Sequence, residues 1–232
     1  MSEKLRPRLE LEQAFNIIAK QFEFKDAHLE LMSDGRQADL LTFIKEHFHP
    51  DEPVMRSIGY TPDEEYDQLI TLFHKDNLSL VLVSDKTNEI IACRTMGLAH
   101  RDEPLDPSEL ENEKLVTLFK FFTHKHEEMN VYKRFNIETS LDFFVLGTHR
   151  DHRKQGIASK IFQAAMLFAK ELGLKQTCIH GDATGVFSQK IFEKFGFETL
   201  HTFKYDEYKV DGEIVFKDTG IHKSTKVFVK KL

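Results

Sequence analysis

The chain has 232 residues, more than one ordinary domain of ~150 and enough to bury a core without disulfides or metal. Its 41% hydrophobic content, with 21 Phe and no Trp, excludes intrinsic disorder, and 11 Gly and 6 Pro exclude collagen-like or low-complexity chains. A net charge of -6 disfavours general binding to nucleic-acid phosphates and mildly favours cationic partners.

Leu11, Phe15, Ile18 and Phe22 fall at helical spacing, so residues 7–22 read as an amphipathic helix. Residues 27–33 form a short strand candidate that ends on an Asp34-Gly35 turn. Leu40, Leu41, Ile44 and Phe48 mark a helix ending near His49-Pro50. Thr61 is placed to cap a second helix, with Pro62 at its first position and Tyr66, Leu69, Ile70 and Phe73 along one face. The runs 78–84 and 89–99 are β-rich and joined by a polar turn, which predicts a hairpin. An acidic, Pro-containing loop over 101–113 leads into a helix over 114–129. Residues 140–146 read as a buried strand, 149–155 as a polar loop, and 157–172 as a strong helix closed by Gly173. A strand over 176–180, a helix over 184–195 closed by Gly196, and β-type alternation from 197 onward complete the chain. Asp211-Gly212 marks a hairpin turn in that last stretch. The order predicts an α/β (α+β) fold with a mixed sheet.

No repeat or flexible linker divides the sequence, which favours one domain with insertions. Cys93 and Cys178 are far apart and form no disulfide framework, so a reducing compartment is expected. The N-terminal residues lack the apolar run of a signal peptide, and no apolar run is long enough to span a bilayer. The expectation is a soluble, cytoplasmic protein that binds neither membrane nor nucleic acid.

The densest chemical signal is the strand over 140–146 feeding a Gly-containing turn at a helix start. Such a turn leaves backbone N–H groups unpaired at the positive end of a helix dipole, which suits a pyrophosphate. Gly156 and Ala158 permit close approach of the backbone, and Arg150, Arg153 and Lys154 add positive charge to an acidic chain. The pattern is neither the three-glycine dinucleotide fingerprint nor a Gly-Lys-Ser/Thr phosphate loop.

Two stretches together carry a family resemblance: LDFFVLGTHRDHRKQGIASKIF over 141–162 and SQKIFEKFGF over 188–197. They resemble the central strand with its pyrophosphate loop, and the later helix, of the GNAT superfamily of acetyl-CoA-dependent N-acetyltransferases. The segment Phe48-His49-Pro50-Asp51-Glu52-Pro53-Val54 and the stretch from Asn130 to Leu141 resemble the invertebrate-type arylalkylamine N-acetyltransferases. The likeness covers roughly 27–232, with 1–26 as a helical extension.

The resemblance implies a GNAT fold, acetyl-CoA as co-substrate with no metal, and a small amine as acceptor. It implies that Leu146, Gly147, Thr148, Arg153, Lys154, Gln155, Gly156, Ile157, Ala158 and Ser159 bind the cofactor. Backbone N–H groups near 145–148 are expected to hold the thioester. An alkylammonium with a pKa near 10 must lose a proton before it can attack, and the resemblance assigns that proton to Glu52. Asp51 is the neighbour most easily confused with it.

The tyrosine that many family members place before Glu-Lys to protonate the leaving thiolate is replaced by Phe192, which has no proton to give. Ser188 and Thr184 match the hydroxyls that the subfamily uses instead; Thr184 also has the position of a helix cap, and Ser188 that of a small residue at a helix contact. Phe48 is the candidate wall for an aromatic substrate ring, while most phenylalanines are core. His pairs at 47/49 and 124/126 point about 200° apart on a helix and fit a metal poorly. The leading expectation is acetyl transfer to a dopamine-, tyramine-, octopamine- or serotonin-type amine. The alternatives are another amine acceptor, or a CoA-binding module without catalysis.

Overall fold

Nine strands and eight helices are laid out along residues 4–232, the part described by a computed structural model; residues 1–3 of the expected N-terminal extension lie outside it. The helices are α1 (Arg8–Ala19), α2 (Gln37–Phe43), α3 (Pro53–Ser57), α4 (Glu64–Phe73), α5 (Glu113–Met129), α6 (Val131–Phe135), α7 (Ile157–Ala169) and α8 (Val186–Lys194). The strands are β1 (Ala27–Leu31), β2 (Leu80–Ser84), β3 (Ile90–His100), β4 (Thr139–Thr148), β5 (Cys178–Ala183), β6 (Glu198–Lys204), β7 (Lys209–Val210), β8 (Glu213–Ile214) and β9 (Ser224–Lys231).

Seven strands form one mixed sheet in the order β1-β2-β3-β4-β5-β9-β6. All neighbours are antiparallel except β4 and β5. The parallel pair is short. It holds only Leu141↔Ile179, Asp142↔His180 and Phe143↔Gly181, and beyond that rung the two strands part. β7 and β8 form a separate ribbon whose turn, Asp211 (φ 51°) and Gly212 (φ 84°), needs two left-handed residues and has them.

Each face of the sheet carries its own core. On one, α1 and α7 pack through Leu11, Phe15, Ile18, Ile161 and Phe168, with the Phe15 and Phe168 rings edge-to-face at 5.9 Å. The expected helical extension is thus seated in the main core. On the other face, α2, α4 and α5 bury Leu40, Phe43, Leu69, Ile70, Leu115 and Phe121. Burial of such side chains contributes ~1.5–3 kcal/mol each, which fixes the helices on the sheet.

Several local expectations shift. α4 begins at Glu64, and its cap is Asp63, not Thr61. The Asp63 carboxylate accepts the Tyr66 N–H at 3.0 Å and the Tyr60 hydroxyl at 2.9 Å, a combination a threonine hydroxyl does not supply. The helix expected up to His49 stops at Phe43, passes into a π-helical turn over Ile44–Phe48 and then a 3-10 turn over His49–Asp51. β5 runs to Ala183 instead of ending at His180, which moves the start of α8 to Val186 with Gly185 at its cap position. Thr184 is therefore free of the helix-cap role open to it in the sequence. The turn α6, after Asn130 at φ 37°, was not foreseen.

Candidate active site

The parting of β4 from β5 opens a cleft in the sheet. Along β4, the Val145 N–H donates to the Thr95 hydroxyl and the His149 N–H to the Ile91 carbonyl, each at 2.8 Å. Both point toward β3. Backbone groups alternate sides along a strand, so those of Leu146 and Thr148 face the cleft where β5 has left. Val145 and Gly147 are corrections to the expected set of thioester and cofactor contacts: their amides are turned to β3. Gly147 is needed for packing, because a Cβ there would sit 2.8 Å from the Phe43 ring.

At the mouth of the cleft the chain makes a 3-10 turn over Arg150–His152 and enters α7 through Gly156 at φ 77°. The first backbone bond of α7 runs from the Lys160 N–H to the Gly156 carbonyl at 3.1 Å, and no side chain caps the helix. The N–H groups of Ile157, Ala158 and Ser159 are left for an anion. The open β4 edge leading to this helix start fits the extended arm and pyrophosphate of acetyl-CoA. Lys154 and Gln155 are exposed beside it.

Arg153 departs from the expected role. Its guanidinium binds the Asp51 carboxylate at 2.8 Å, the Thr148 carbonyl at 3.0 Å and the His47 carbonyl at 2.9 Å. Arg150 reaches the same carboxylate at 3.3 Å. The two arginines fasten the loop to the 3-10 turn over His49–Asp51 and hold the Asp51 carboxyl below the ordinary aspartate range against its partial burial. Asp51 is thereby separated from Glu52.

Glu52 is 4% exposed. It lies between Pro50 and Pro53, at the cap of α3, with the extended backbone that a following proline requires. Its Oε2 accepts the Met55 N–H at 2.6 Å, while Oε1 is buried with no hydrogen-bonded partner. Burial pushes the carboxyl up to about 7; Met55 N–H, the facing Thr184 hydroxyl, Val54 N–H and the Lys125 ammonium pull the other way. The Thr184 hydroxyl thus faces the Glu52 carboxyl, a contact the sequence did not indicate. Ser188 lies on the first turn of α8 and donates to the Gly185 carbonyl at 2.9 Å. Phe48 is half-buried on the same sheet face as Glu52, with Phe122, Phe144, Phe203 and Tyr208 along that face.

A second buried group went unnoticed in the sequence. Lys125 of α5 is fully buried, 3.0 Å from Asp182 of β5 and within 5 Å of the Phe121 and Phe122 rings. Burial lowers its pKa, while Asp182 and Glu52 oppose that. Asp182 also meets His126 at 2.9 Å, and His180 meets Asp142 at 3.3 Å. The signal was present: position 125 continues the apolar stripe of Leu115, Leu118 and Phe121, where a charge is out of place. His126, His180 and Asp182 offer ligand atoms within 4.8 Å of one another, but the Lys125 ammonium already stands at the carboxylate as its cation.

Beside the cleft, Phe192 of α8 presses its ring on Gly181, where a Cβ would lie 2.7 Å from the ring tip. It stacks on Phe228 at 4.9 Å and carries no group that can move a proton.

A strand edge opening onto an uncapped helix start suits an extended ligand that ends in a phosphate or pyrophosphate. The profile of the acetyltransferase (GNAT) family matches residues 41–197, more than half of the chain, and the protein belongs to that family, whose members use acetyl-CoA. Its fold is similar to that of arylalkylamine N-acetyltransferase 2 from Aedes aegypti, with a TM-score of 0.82 at 22% identity over 89% of this chain and 99% of that one. It is also similar to the Drosophila melanogaster polyamine N-acetyltransferase, an enzyme that forms N-acetylagmatine, with a TM-score of 0.76 at 19% identity over 89% and 100% of the two chains. At these identities the likeness is one of fold. Among the described residues no helix is long and apolar enough to cross a membrane.

Proposed function

We propose that the protein transfers the acetyl group of acetyl-CoA to the primary amine of a small arylalkylamine, with Glu52 as general base and residues 27–232 acting as one catalytic domain. The observation that carries this reading is the Glu52 carboxyl: buried, raised to about 7, and with one oxygen free. A base of that pKa is matched to neutral pH, where an ordinary carboxylate is too weak to take a proton from an ammonium. Its proton acceptor site lies on the sheet face of the half-buried rings Phe48, Phe144 and Tyr208, which supports an aromatic acceptor.

The chemistry is direct attack within a ternary complex. The ammonium gives one proton to Glu52, which passes it to solvent; the neutral nitrogen bonds to the thioester carbonyl carbon, Glu52 takes the second proton from that nitrogen, and the carbon–sulfur bond breaks with its electron pair on sulfur. The cleft-facing amide of Leu146 or Thr148 supplies a donor for the carbonyl oxygen as negative charge builds on it. The hydroxyls of Thr184 and Ser188 stand on the β5–α8 side for the departing thiolate.

Similarity to a polyamine acetyltransferase favours one second reading, an aliphatic diamine or guanidinoamine acceptor. A panel of tyramine, dopamine, serotonin, spermidine, agmatine and glucosamine, each with acetyl-CoA and thiol release as the readout, separates the two. The aryl reading requires kcat/KM for an arylalkylamine at least tenfold above the others. A preference for agmatine or spermidine overturns it, and thiol release with no amine would point away from amine transfer altogether.

A further inference from the structure

Arg94 of β3 is 1% exposed and has no carboxylate partner among the described residues. Its guanidinium carbon lies 4.1 Å from the centroid of Phe143, 5.1 Å from Phe162 and 5.4 Å from Phe192. Nε and Nη2 are both buried with no hydrogen-bonded acceptor. A guanidinium stays protonated, so the fold holds an unpaired cation in its core. Such a cation costs several kcal/mol unless an anion meets it, and aromatic faces recover only part of that.

The location tells which anion. Phe143 belongs to the last β4–β5 rung, and Phe192 presses on its partner Gly181. Both rings thus mark the apex of the cleft, and Arg94 lies between them on the face of α7 and α8. Its strand partner Leu146 is one of the two residues whose backbone faces the cleft. An acetyl-CoA arm that starts at the α7 N-terminus and follows the β4 edge inward carries its sulfur toward this apex. At the same apex Phe192 offers no acid.

We propose that Arg94 is a catalytic residue that holds the departing CoA sulfur by charge and hydrogen bonding. This rests on the reading that acetyl-CoA occupies the β4–β5 cleft. As the carbon–sulfur bond breaks, its electron pair stays on sulfur, and an Arg94 N–H donates to the thiolate without surrendering its proton. The amine proton remains on Glu52 during that step. A thiolate stabilised in this way needs no phenol at position 192. Charge-assisted hydrogen bonds of this type strengthen as the sulfur becomes anionic, so they act on the transition state more than on the bound thioester.

The test compares wild type with Arg94→Met and Arg94→Lys. Methionine fills the space with an apolar chain, and replacement of a buried unpaired charge by such a chain favours folding. Binding of CoA and of S-methyl-CoA is measured by calorimetry from pH 6.5 to 9, with thiolate absorbance followed in the ultraviolet. The wild type should prefer CoA increasingly as pH rises, because the bound thiol ionises below its free pKa. In Arg94→Met that preference should fall ~10- to 100-fold, and kcat should fall with it at unchanged KM for the amine. Arg94→Lys should keep an intermediate preference. An unchanged CoA to S-methyl-CoA ratio in a folded Arg94→Met variant overturns the assignment, as does an equal loss of both ligands, which would place Arg94 on the arm and not the sulfur. If the wild type binds neither ligand, the cleft reading itself is what fails.

Discussion

Glu52→Gln should make the protein more stable and nearly inactive at once. The variant keeps an oxygen to accept the Met55 N–H, so the cap of α3 survives, but the group no longer ionises. In the wild type the carboxyl has a pKa of about 7 when folded against 4.5 as an ordinary glutamic acid. Because the folded value is the higher one, its contribution is fully present below 4.5 and is lost as pH rises through about 7. Ionisation of the buried group then costs about 1 kcal/mol at pH 5.5 and about 3 kcal/mol at pH 8.5. Glu52→Gln should therefore melt higher than wild type by a margin that grows over this range. For a chain of this size the gain approaches roughly 6 to 12 °C at pH 8.5. The wild-type kcat/KM should rise about tenfold between pH 6 and 8, as the ionised fraction of the base climbs from about one-tenth to about nine-tenths. That limb should vanish in the variant while acetyl-CoA affinity is retained. Retained turnover, or a melting difference that does not widen with pH, would refute the reasoning.

Lys125→Met removes a cation that favours the charged form of Glu52, so the ascending limb of the pH profile should move above 7; a limb that stays or moves down would sever Lys125 from the base. Asp51→Asn releases Arg150 and Arg153 from the carboxylate they share, and acetyl-CoA should bind 2- to 10-fold tighter by calorimetry, since exposed pairs are worth only ~0.2–1 kcal/mol each. Gly156→Ala places a Cβ at φ 77°, where space is open but the backbone is strained; a loss of about 1 kcal/mol in stability with a parallel loss of acetyl-CoA affinity is expected from melting and titration.

The site was legible in the sequence where chemistry is local. The strand, loop and helix over 139–169 follow one another in the chain, so spacing alone placed Gly156 at the start of α7. Glu52 and Thr184 were each named only through the family likeness, and their meeting was not legible, because 132 positions separate them and nothing in either neighbourhood points to the other. Arg94 reads as an ordinary charge until the sheet is folded around it, whereas Lys125 is marked in the sequence only by its place on the apolar stripe of α5. The β5 boundary was misplaced because its end is set by pairing with β9, through Asp182↔Val227 and Ala183↔Lys226, and not by any local breaker. That pairing in turn frees Thr184 from the helix and turns it to Glu52.

Asp51 and Glu52 are joined by a single peptide bond yet belong to different halves of the reaction. One is gripped by the arginines of the loop before α7, and the other is buried and is the base of the proposed reaction. Donor and acceptor constants in this enzyme should therefore not vary independently. A change at Arg150 or Arg153 ought to appear in the kinetics of the amine as well as in those of acetyl-CoA.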